Sequence, residues 1–466
     1  MYQDFREYLS TLDARGLLSR ITRPVDKDWE IAAVCRVNFQ DIPARERTAL
    51  RFEQVQGFSV PLVAGVLGGS DAIYAAALST TVDRVLDTWT TGARSPIPPV
   101  MVSDGPVHEN VLTGEAADVH RFPHPVWTVG QDPGPYITSA CVVSKDPETG
   151  VRNVGTYRFQ IKGKDRLGMM ASPRQGVARH IARNDVQDRP TEIAIVLGPD
   201  PVVGLTSVSS FPHGQDELAI AGGIRGEALP VLRGCTVDLE VPATAEIVIE
   251  GRVLARAREL EGPFGEYTGY MGSSGDHFVV EVSAVCFRNE PIYQAFVSQM
   301  PPSESSCIRR LGRSMTIYRH LTQVLGLPVT DVLVSEASGS GPFIYIALRK
   351  GVEGQPVQAM YGAWSVDPSL GKFVVVVDDD IDIHDPAAVE WALGWRVQPE
   401  RDVHLQRGTV PLGLDPSQHG PLSSKVGIDA TRKGAYPANS VPPAEHLARV
   451  RQTWSSYGVR SCTTQG

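Results

Sequence analysis

Hydrophobic residues in the first hundred positions recur mostly at helical spacing. Phe5, Leu9 and Leu12 form an apolar stripe that predicts an N-terminal helix. A short apolar run and a second helical pattern follow, and the prolines of residues 95–106 indicate a boundary. These patterns predict an N-terminal α/β domain over residues 1–108.

Residues 109–298 show a different pattern, in which short runs rich in β-branched residues are separated by turn residues. One helical segment, GVARHIARNDV, interrupts these runs. Many short strands with turns between them are typical of a barrel or a sandwich. The predicted strands are YITSACVVSK, VRNVGTYRFQIKG, EIAIVLG, CTVDLEV, AEIVIEGRVLAR and HFVVEVSAVCFR.

Residues 299–466 begin with a helical pattern, CIRRLGRSMTIYRHLTQVLG, and continue with strand and helix patterns in alternation. The strand patterns are VTDVLVSEA, FIYIALRK and GKFVVVVDDDID, and the helix patterns are PAAVEWALGWRV and PPAEHLARVRQTWSSYG. Such alternation predicts a C-terminal α/β domain. The whole chain is therefore expected to be a mixed α/β protein.

Charge and cysteine spacing exclude several classes of protein. The chain has 44 basic and 53 acidic residues, a net charge of −9, which argues against a nucleic-acid or membrane-surface partner. The first residues resemble an amphipathic helix rather than a signal peptide, and no apolar run is long enough for a membrane helix, so we expect a cytoplasmic protein. The six cysteines contain no CxxC pair, which favours free thiols over a zinc site.

The segment Glu261-Gly-Pro-Phe-Gly-Glu266 holds two glutamates around a turn. Proline at the second position and glycine at the fourth fit a type I turn over residues 262–265. Such a turn can bring both carboxylates to one pocket, where proximity would separate their pKa values and leave one as an acid. Two solvated glutamates beside a hairpin turn are the alternative interpretation.

Four further positions have candidate chemistry, each with a simpler alternative. Arg158, on a predicted strand, can bind a carboxylate through two hydrogen bonds, or it can be a surface arginine. Glu217 can ligate Mg²⁺ or Mn²⁺, or it can stabilise a helix N-terminus. Lys425, in an apparent polar loop, can meet a phosphate or be solvated. The acidic run 378–382 is interpreted as structural, at a strand end before a helix.

Several motifs occur in the same order as in one known family. They are NVGTYR, the Glu217 of HGQDELAIAGGIRG, VPATAEIVIEG, EGPFGEYTGY, GKFVVVVDDDID with WALGWRVQPERD, and SSKVGIDAT. In this respect the chain resembles the UbiD family of decarboxylases over nearly its whole length. The resemblance implies an N-terminal α/β domain, a central split β-barrel of flavin-reductase type and a C-terminal α/β oligomerisation domain.

The resemblance also implies a site and its cofactors. The cofactors would be prenylated FMN, Mn²⁺ (or Mg²⁺) and K⁺. Glu266 would be the acid/base, with Arg158 and Glu261 completing its network. Cofactor contacts would come from Asn153, Gly155, Thr156, Tyr157, Arg158, Arg174, Gln175, Glu217 and Lys425. Asn153, Glu217 and Gln175 would hold the divalent ion, and Val154, Thr206, Ser207 and Ser209 the potassium ion.

One departure from the family pattern concerns a histidine that normally binds the divalent metal. Here Pro173-Arg174-Gln175 occupies that stretch. Gln175 can supply a carbonyl oxygen, which is a weaker ligand than imidazole, and Arg174 can instead pair with the phosphate. His180 lies five residues beyond Gln175 and is less well placed.

The resemblance implies reversible, non-oxidative decarboxylation of an α,β-unsaturated or aromatic acid. The expected partners are a small carboxylic acid, a flavin prenyltransferase that supplies the cofactor, and further copies of this chain in a homodimer or larger homo-oligomer. Two other hypotheses are a flavin-binding relative without turnover and a plain flavin reductase. The latter does not need Arg158, Glu261 and Glu266 together.

Overall fold

The computed structural model describes residues 2–173, 175–209, 211–212 and 214–459. In these ranges, no helix combines the length and the apolar character that a membrane span requires. Met1, Arg174, Ser210, His213 and the segment 460–466 lie outside the described residues.

The N-terminal region packs helices on a small sheet. The predicted first helix is confirmed, and the side chain of Asp4 accepts a hydrogen bond from the amide of Glu7 (3.0 Å) at its N-terminus. Phe5, Leu9 and Leu12 of this helix are buried. The elements are α1 (Phe5–Ala14), β1 (Leu18–Ile21), α2 (Glu30–Gln40), β2 (Ala49–Phe52), β3 (Leu62–Ala64), α3 (Asp71–Ala77), α4 (Val85–Arg94) and β4 (Val100–Met101).

The central region contains a closed barrel. Its strands follow the order β12-β9-β6-β7-β8-β13, and pairing of β13 with β12 closes the ring of six. The elements are β5 (Asn110–Thr113), β6 (Tyr136–Lys145), β7 (Arg152–Ile161), β8 (Arg166–Met170), α5 (Gly176–Val186), β9 (Thr191–Leu197), α6 (Pro201–Ser207), α7 (Glu217–Arg225), β10 (Pro230–Arg233), β11 (Glu240–Pro242), β12 (Ile247–Glu261), β13 (Gly275–Phe287) and β14 (Tyr293–Gln294).

Alternate residues of the barrel strands pack into two different cores. Phe159 and Ile249 belong to one buried cluster, whereas Val196 and Val248 belong to the other, which also contains residues of α1 and α3. Strand β14 pairs with β3 and so joins the N-terminal sheet. This two-sided burial fixes the barrel against the N-terminal region and holds β7 in a defined position.

The C-terminal region is a five-stranded mixed sheet in the order β15-β16-β17-β19-β18. The elements are α8 (Glu304–Arg319), β15 (Val329–Val334), β16 (Phe343–Leu348), α9 (Gln355–Val366), β17 (Phe373–Asp378), α10 (Pro386–Arg396), α11 (Pro399–Asp402), β18 (Val403–Thr409), β19 (Ser423–Ala430) and α12 (Ala444–Gln452).

The mixed α/β fold and the predicted barrel are confirmed, whereas two local predictions are wrong. Lys425 lies in strand β19 rather than in a polar loop. Of CTVDLEV, only the end joins a strand, because the amides of Cys235 and Thr236 donate to the Glu250 carboxylate (2.7 and 2.6 Å) instead of to a neighbouring strand. The flavin-reductase relationship and the domain boundaries 1–108, 109–298 and 299–466 stay predictions.

Candidate active site

Strand β7 forms one wall of a pocket of about 880 Å³ between the barrel and helix α8. This volume lies in the usual range for small-molecule and cofactor sites, about 300–1,000 Å³. The structure brings most of the predicted site residues to this pocket. The predicted residues that line it are Asn153, Val154, Gly155, Thr156, Tyr157, Arg158, Gln175, Ser207, Ser209, Glu217 and Glu266.

Arg158 joins the two glutamates of the predicted pair. Its Nε and Nη2 donate to the two carboxylate oxygens of Glu261 (3.0 and 2.9 Å), and its Nη1 donates to Glu266 Oε1. Glu261 is fully buried behind Arg158, whereas Glu266 lines the pocket. The alternative of two solvated glutamates is therefore wrong.

The turn between the two glutamates differs from the prediction. The Gly262–Pro263 peptide is cis, and the turn lies further along, where the amide of Gly269 donates to the Glu266 carbonyl (3.0 Å). Gly262 has φ +81°, and a Cβ there would lie 3.2 Å from the Ser273 carbonyl oxygen, so this position requires glycine. This backbone path brings Glu266 to Arg158 directly after β12 ends at Glu261.

Burial is the main cause that raises the pKa of Glu266. The positive charges of Arg158 and Arg309 oppose this rise, and Glu261 adds only a minor increase. The expectation that the neighbouring carboxylate would contribute substantially therefore needs correction. A partly desolvated carboxyl that borders a pocket is suited to hold a proton and then to release it.

Apolar and cationic groups complete the wall beside Glu266. The guanidinium carbon of Arg158 lies 5.1 Å from the ring centroid of Phe264, which itself packs 4.4 Å from Tyr136. The guanidinium carbon of Arg309, which also lines the pocket, lies 4.0 Å from the ring centroid of Tyr267. Burial, and next the charge of Arg313, lowers the pKa of Arg309 to about 10.

Asn153 and Glu217 meet at one end of the pocket. Glu217 is the first residue of α7, and its Oε2 accepts a hydrogen bond from the amide of Val154 (2.7 Å). Burial raises the pKa of Glu217 to about 7, because few partners compensate its charge. Helix α5 approaches so closely that a Cβ on Gly176 would lie 1.8 Å from Asn153 Oδ1.

These residues fit a hard cation beside a phosphate. Among the described residues, the buried Nδ2 of Asn153 has no hydrogen-bond partner and could donate to a phosphate oxygen. The Asn153 amide oxygen and the Glu217 carboxylate are ligands that suit the cation. Asn153, Glu217 and Gly176 also line a smaller adjoining cavity of about 190 Å³. Gln175 precedes α5 and lines the main pocket, but its Oε1 already accepts the Ser172 amide (2.6 Å).

The four residues predicted for potassium lie close together around the end of α6. Thr206 and Ser207 close this helix, and the Ser207 hydroxyl is 2.8 Å from that of Thr156 on β7. Thr206 is fully buried behind the pocket, whereas Ser207 and Ser209 line it with Val154. Carbonyl oxygens at a helix C-terminus have partial negative charge, which favours a cation.

One predicted phosphate ligand, Lys425, does not line this pocket. Lys425 is buried in the C-terminal sheet, where its Nζ donates to the Leu370 carbonyl and lies 5.9 Å from the Trp364 ring centroid. Burial lowers the pKa of Lys425 to about 8. The structure thus separates Lys425 from the pocket, because β19 packs this side chain against α9. Arg174 lies outside the described residues.

Sequence reasoning missed two residues that line the pocket and judged a third nearby residue, His180, to be less well placed. Arg309 and His277 line it, and His180 lines the smaller cavity with Asn153 and Glu217. His277 Nε2 lies 4.0 Å from Glu261 Oε2. A charged residue at a helical position that would otherwise face the core was the available signal for Arg309.

Comparisons with known proteins agree with this geometry. Three family models match, described as the N-terminal, Rift-related and C-terminal domains of 3-octaprenyl-4-hydroxybenzoate carboxy-lyase. They match residues 9–91, 100–301 and 306–430. A phenolic acid decarboxylase of Bacillus subtilis is 30% identical over 446 residues, which cover 92% of each chain.

Solved structures give the same result. The UbiD-class enzyme HmfF from Pelotomaculum thermopropionicum, in complex with FMN, is 35% identical with a TM-score of 0.87, and the match covers 96% of this chain and 100% of that one. Vanillic acid decarboxylase of Sedimentibacter hydroxybenzoicus is 26% identical with a TM-score of 0.85, over 98% and 100% of the two chains. This chain therefore belongs to the UbiD family.

Proposed function

We propose that this protein is a carboxy-lyase that catalyses non-oxidative, reversible decarboxylation of an aromatic or α,β-unsaturated carboxylic acid with prenylated FMN. The observation that carries the proposal is the network of Arg158, Glu261 and Glu266 at the wall of a cofactor-sized pocket. Its similarity to phenolic and vanillic acid decarboxylases supports the same reaction class.

The cofactor is needed because loss of CO₂ from an sp² carbon leaves a carbanion that protein side chains cannot stabilise. When bound, prenylated FMN supplies the electron sink. The chain itself has to bind the acid, exclude water and supply one proton. Arg158 and Glu266, which line the pocket, and Glu261, buried behind Arg158, are proposed to divide the binding and proton-transfer tasks.

Arg158 is proposed to orient the substrate carboxylate. A guanidinium has five N–H donors, and Glu261 and Glu266 occupy three of them, which leaves two for substrate. Glu261, fully buried, fixes the guanidinium plane from behind. A carboxylate that approaches Arg158 also disfavours the ionised form of Glu266, since two like charges would then share one cation.

Glu266 is proposed to donate the proton to the carbon that has lost CO₂. Burial already favours its protonated form, and its position in the pocket gives it access to a bound acid. Phe264 and Ile308 line the pocket as apolar neighbours and limit the water around that proton. In the reverse direction, the same carboxylate would act as the base.

For the phosphate end of the cofactor, we propose a divalent ion, Mn²⁺ or Mg²⁺, on Asn153 and Glu217, with Gln175 or water completing its shell. A phosphate beside Glu217 would otherwise be repelled. Val154, Thr206, Ser207 and Ser209 are proposed to hold K⁺. The competing arrangement, in which Arg174 replaces the divalent ion, predicts full cofactor loading without such a metal and activity that a chelator leaves unchanged.

The test is to produce the chain with and without a flavin prenyltransferase and to measure CO₂ release from a panel of aromatic and α,β-unsaturated acids. Turnover should require co-production of the prenyltransferase, which would supply the modified flavin. Manganese or magnesium should be found at about one per loaded chain. Equal turnover in both preparations, or none with any acid, would contradict the proposal.

Homo-oligomerisation through the C-terminal region stays a prediction. One solved HmfF relative is described as an evolved dimeric form, which concerns that protein. The mass of the purified chain in solution tests the prediction.

A further inference from the structure

A cluster of four metal-ligand side chains lies outside the pocket. His108 ends a short 3₁₀ turn, Cys235 lies in the loop after β10, and Glu250 and Cys286 lie on the paired strands β12 and β13. One ligand atom from each lies within 4.8 Å of those of all the others. None of the four lines the pocket around Arg158.

The distances inside this cluster match those between ligands of one tetrahedral zinc ion. The two sulfur atoms of Cys235 and Cys286 are 3.7 Å apart, and Cys235 Sγ is 3.6 Å from His108 Nε2. With Zn–S near 2.3 Å and Zn–N near 2.0 Å, tetrahedral angles place two sulfurs about 3.8 Å apart and a sulfur and a nitrogen about 3.5 Å apart. One ion can therefore contact these three atoms without large movements.

Glu250 adds a negative charge that the surrounding protein does not neutralise. It is fully buried, and the ion pairs of the described residues do not include it. The amides of Cys235 and Thr236 and the Thr236 hydroxyl orient its carboxylate (2.6–2.7 Å). Carboxylate oxygens keep further lone pairs for a metal, and buried charges are normally paired or bound to metals.

The strand pairing explains how residues distant in sequence meet. Glu250 is opposite Ala284, so Cys286, two residues further along β13, lies on the same face of the sheet. The loop of Cys235 covers that face because its amides bind Glu250 rather than a strand. Cys235 is exposed and His108 half-buried, so an ion can reach the cluster from solvent.

We propose that His108, Cys235, Glu250 and Cys286 form a structural Zn²⁺ site. Two thiolates and an imidazole select zinc over the manganese or magnesium expected at Asn153 and Glu217, which prefer oxygen ligands. Four protein ligands leave no open position, as is typical of structural sites. The ion would fasten the loops around His108 and Cys235 to the barrel.

The sequence gives little indication of this site, since the ligands are scattered without a CxxC motif. Cys235 and Cys286 are free of disulfides in the structure, as predicted, and the proposal adds that both thiolates bind a metal ion. A disulfide between these two residues is the main competing arrangement, and unliganded thiols are the other.

The test is element-resolved metal analysis of the full-length chain after zinc supplementation and gel filtration. We expect about one zinc per chain, lost in Cys235→Ser and His108→Asn, and kept in the control Cys35→Ser, whose thiol lies in α2. Glu217→Gln should keep the zinc and lose only the manganese or magnesium. The assignment would be overturned if Cys235→Ser kept its zinc while the control Cys35→Ser lost it.

A second measurement does not depend on variants that fold. Cobalt exchanged into the wild-type chain should give the charge-transfer absorption of thiolate ligands and the visible bands of a tetrahedral ion. A chain that binds neither metal would refute the proposal. A mass lower by two hydrogens would then indicate a disulfide between Cys235 and Cys286, and an unchanged mass would indicate two free thiols.

Discussion

Arg158 in the barrel and Arg396 in the C-terminal region bind carboxylates in almost the same way. Arg158 holds Glu261 through two nitrogens and Glu266 through a third. Arg396 contacts Asp380 through both Nη atoms (2.8 Å each) and Asp378 through Nη1 (2.9 Å). Each guanidinium also lies over an aromatic ring, at 5.1 and 5.2 Å.

The two networks differ in what surrounds the singly bound carboxylate. Burial raises the pKa of Asp378 as it does that of Glu266, so a raised pKa does not identify the active site. Asp378, however, also accepts the amide of Arg432 (2.7 Å), whereas Glu266 borders the pocket. Access to a ligand, rather than the charge pattern, distinguishes a reactive carboxylate from a structural one.

The largest expected effect is that of Glu266→Gln. The amide has a similar shape but cannot supply the proton, so kcat should fall by about 10²–10⁴-fold while flavin binding persists. Steady-state decarboxylation of the cofactor-loaded variant measures this. The matched control, Asp378→Asn, should keep kcat and lower only the melting temperature. A Glu266→Gln enzyme of near wild-type rate would show that another group is the acid.

Arg158→Lys should reduce both substrate affinity and kcat, because an ammonium cannot replace a planar guanidinium that binds three carboxylate oxygens. We expect a loss of at least about 10²-fold in kcat/KM. In Arg396→Lys, the same exchange should affect thermal unfolding but not kcat/KM. If only KM changed in Arg158→Lys, then Arg158 would bind substrate without orienting it.

Arg309→Gln should move the alkaline limb of the kcat–pH profile to higher pH. In the proposed mechanism Glu266 acts in its protonated form, so activity should be full below its pKa and should be lost as pH rises through that pKa. Since the charge of Arg309 lowers this pKa, its removal raises the pKa and extends activity upward. KM for an anionic acid should rise as well. A limb that stays in place would mean that Arg309 does not influence Glu266.

The smallest effect is predicted for Asp380→Asn, which weakens the Arg396 network without touching the pocket. Loss of a charge-assisted pair should lower the free energy of unfolding by roughly 1–3 kcal/mol. Chemical denaturation measures it, and kcat/KM should equal that of the wild type. A drop in kcat/KM would show that the Arg396 network influences catalysis, which would contradict its assignment as structural in contrast to the Arg158 network.

Local sequence patterns predicted much of the fold because periodicity and burial coincide there. Strand β6 and helix α5 begin and end as predicted. Strand β6 is an apolar, β-branched run buried on both faces, and α5 has a buried apolar stripe at helical spacing. The prediction of a loop at Lys425 is wrong. Serine, lysine and glycine are common in loops, but β19 lies between β17 and β18, and both strands form hydrogen bonds with its backbone. The prediction of a strand at Cys235 is wrong because the amides of Cys235 and Thr236 donate hydrogen bonds to the carboxylate of Glu250, fifteen residues from Cys235 in sequence.

The site was predictable only in part. The glutamates 261 and 266 could be paired because they are close in sequence, and the family pattern added Arg158. Arg309 enters from α8, more than forty residues away from Glu266, and its helical position, although unusual for a charged residue, does not show which pocket it lines. The zinc cluster likewise joins four distant segments. Contacts of this kind depend on the packing of whole elements, which local patterns do not record.

The position of helix α8 has a consequence for how substrate preference can change. The barrel provides Arg158, Glu261 and Glu266, whereas α8 provides Ser305, Ile308 and Arg309 to the same pocket. The proposed proton donor and the guanidinium proposed to orient the substrate thus come from the barrel region, whereas further side chains of the same pocket come from a separate stretch of the chain. Exchange of Ser305 and Ile308 between homologues, with Arg309 kept, offers a route to new acid specificities that leaves Glu266 and the charges around it in place.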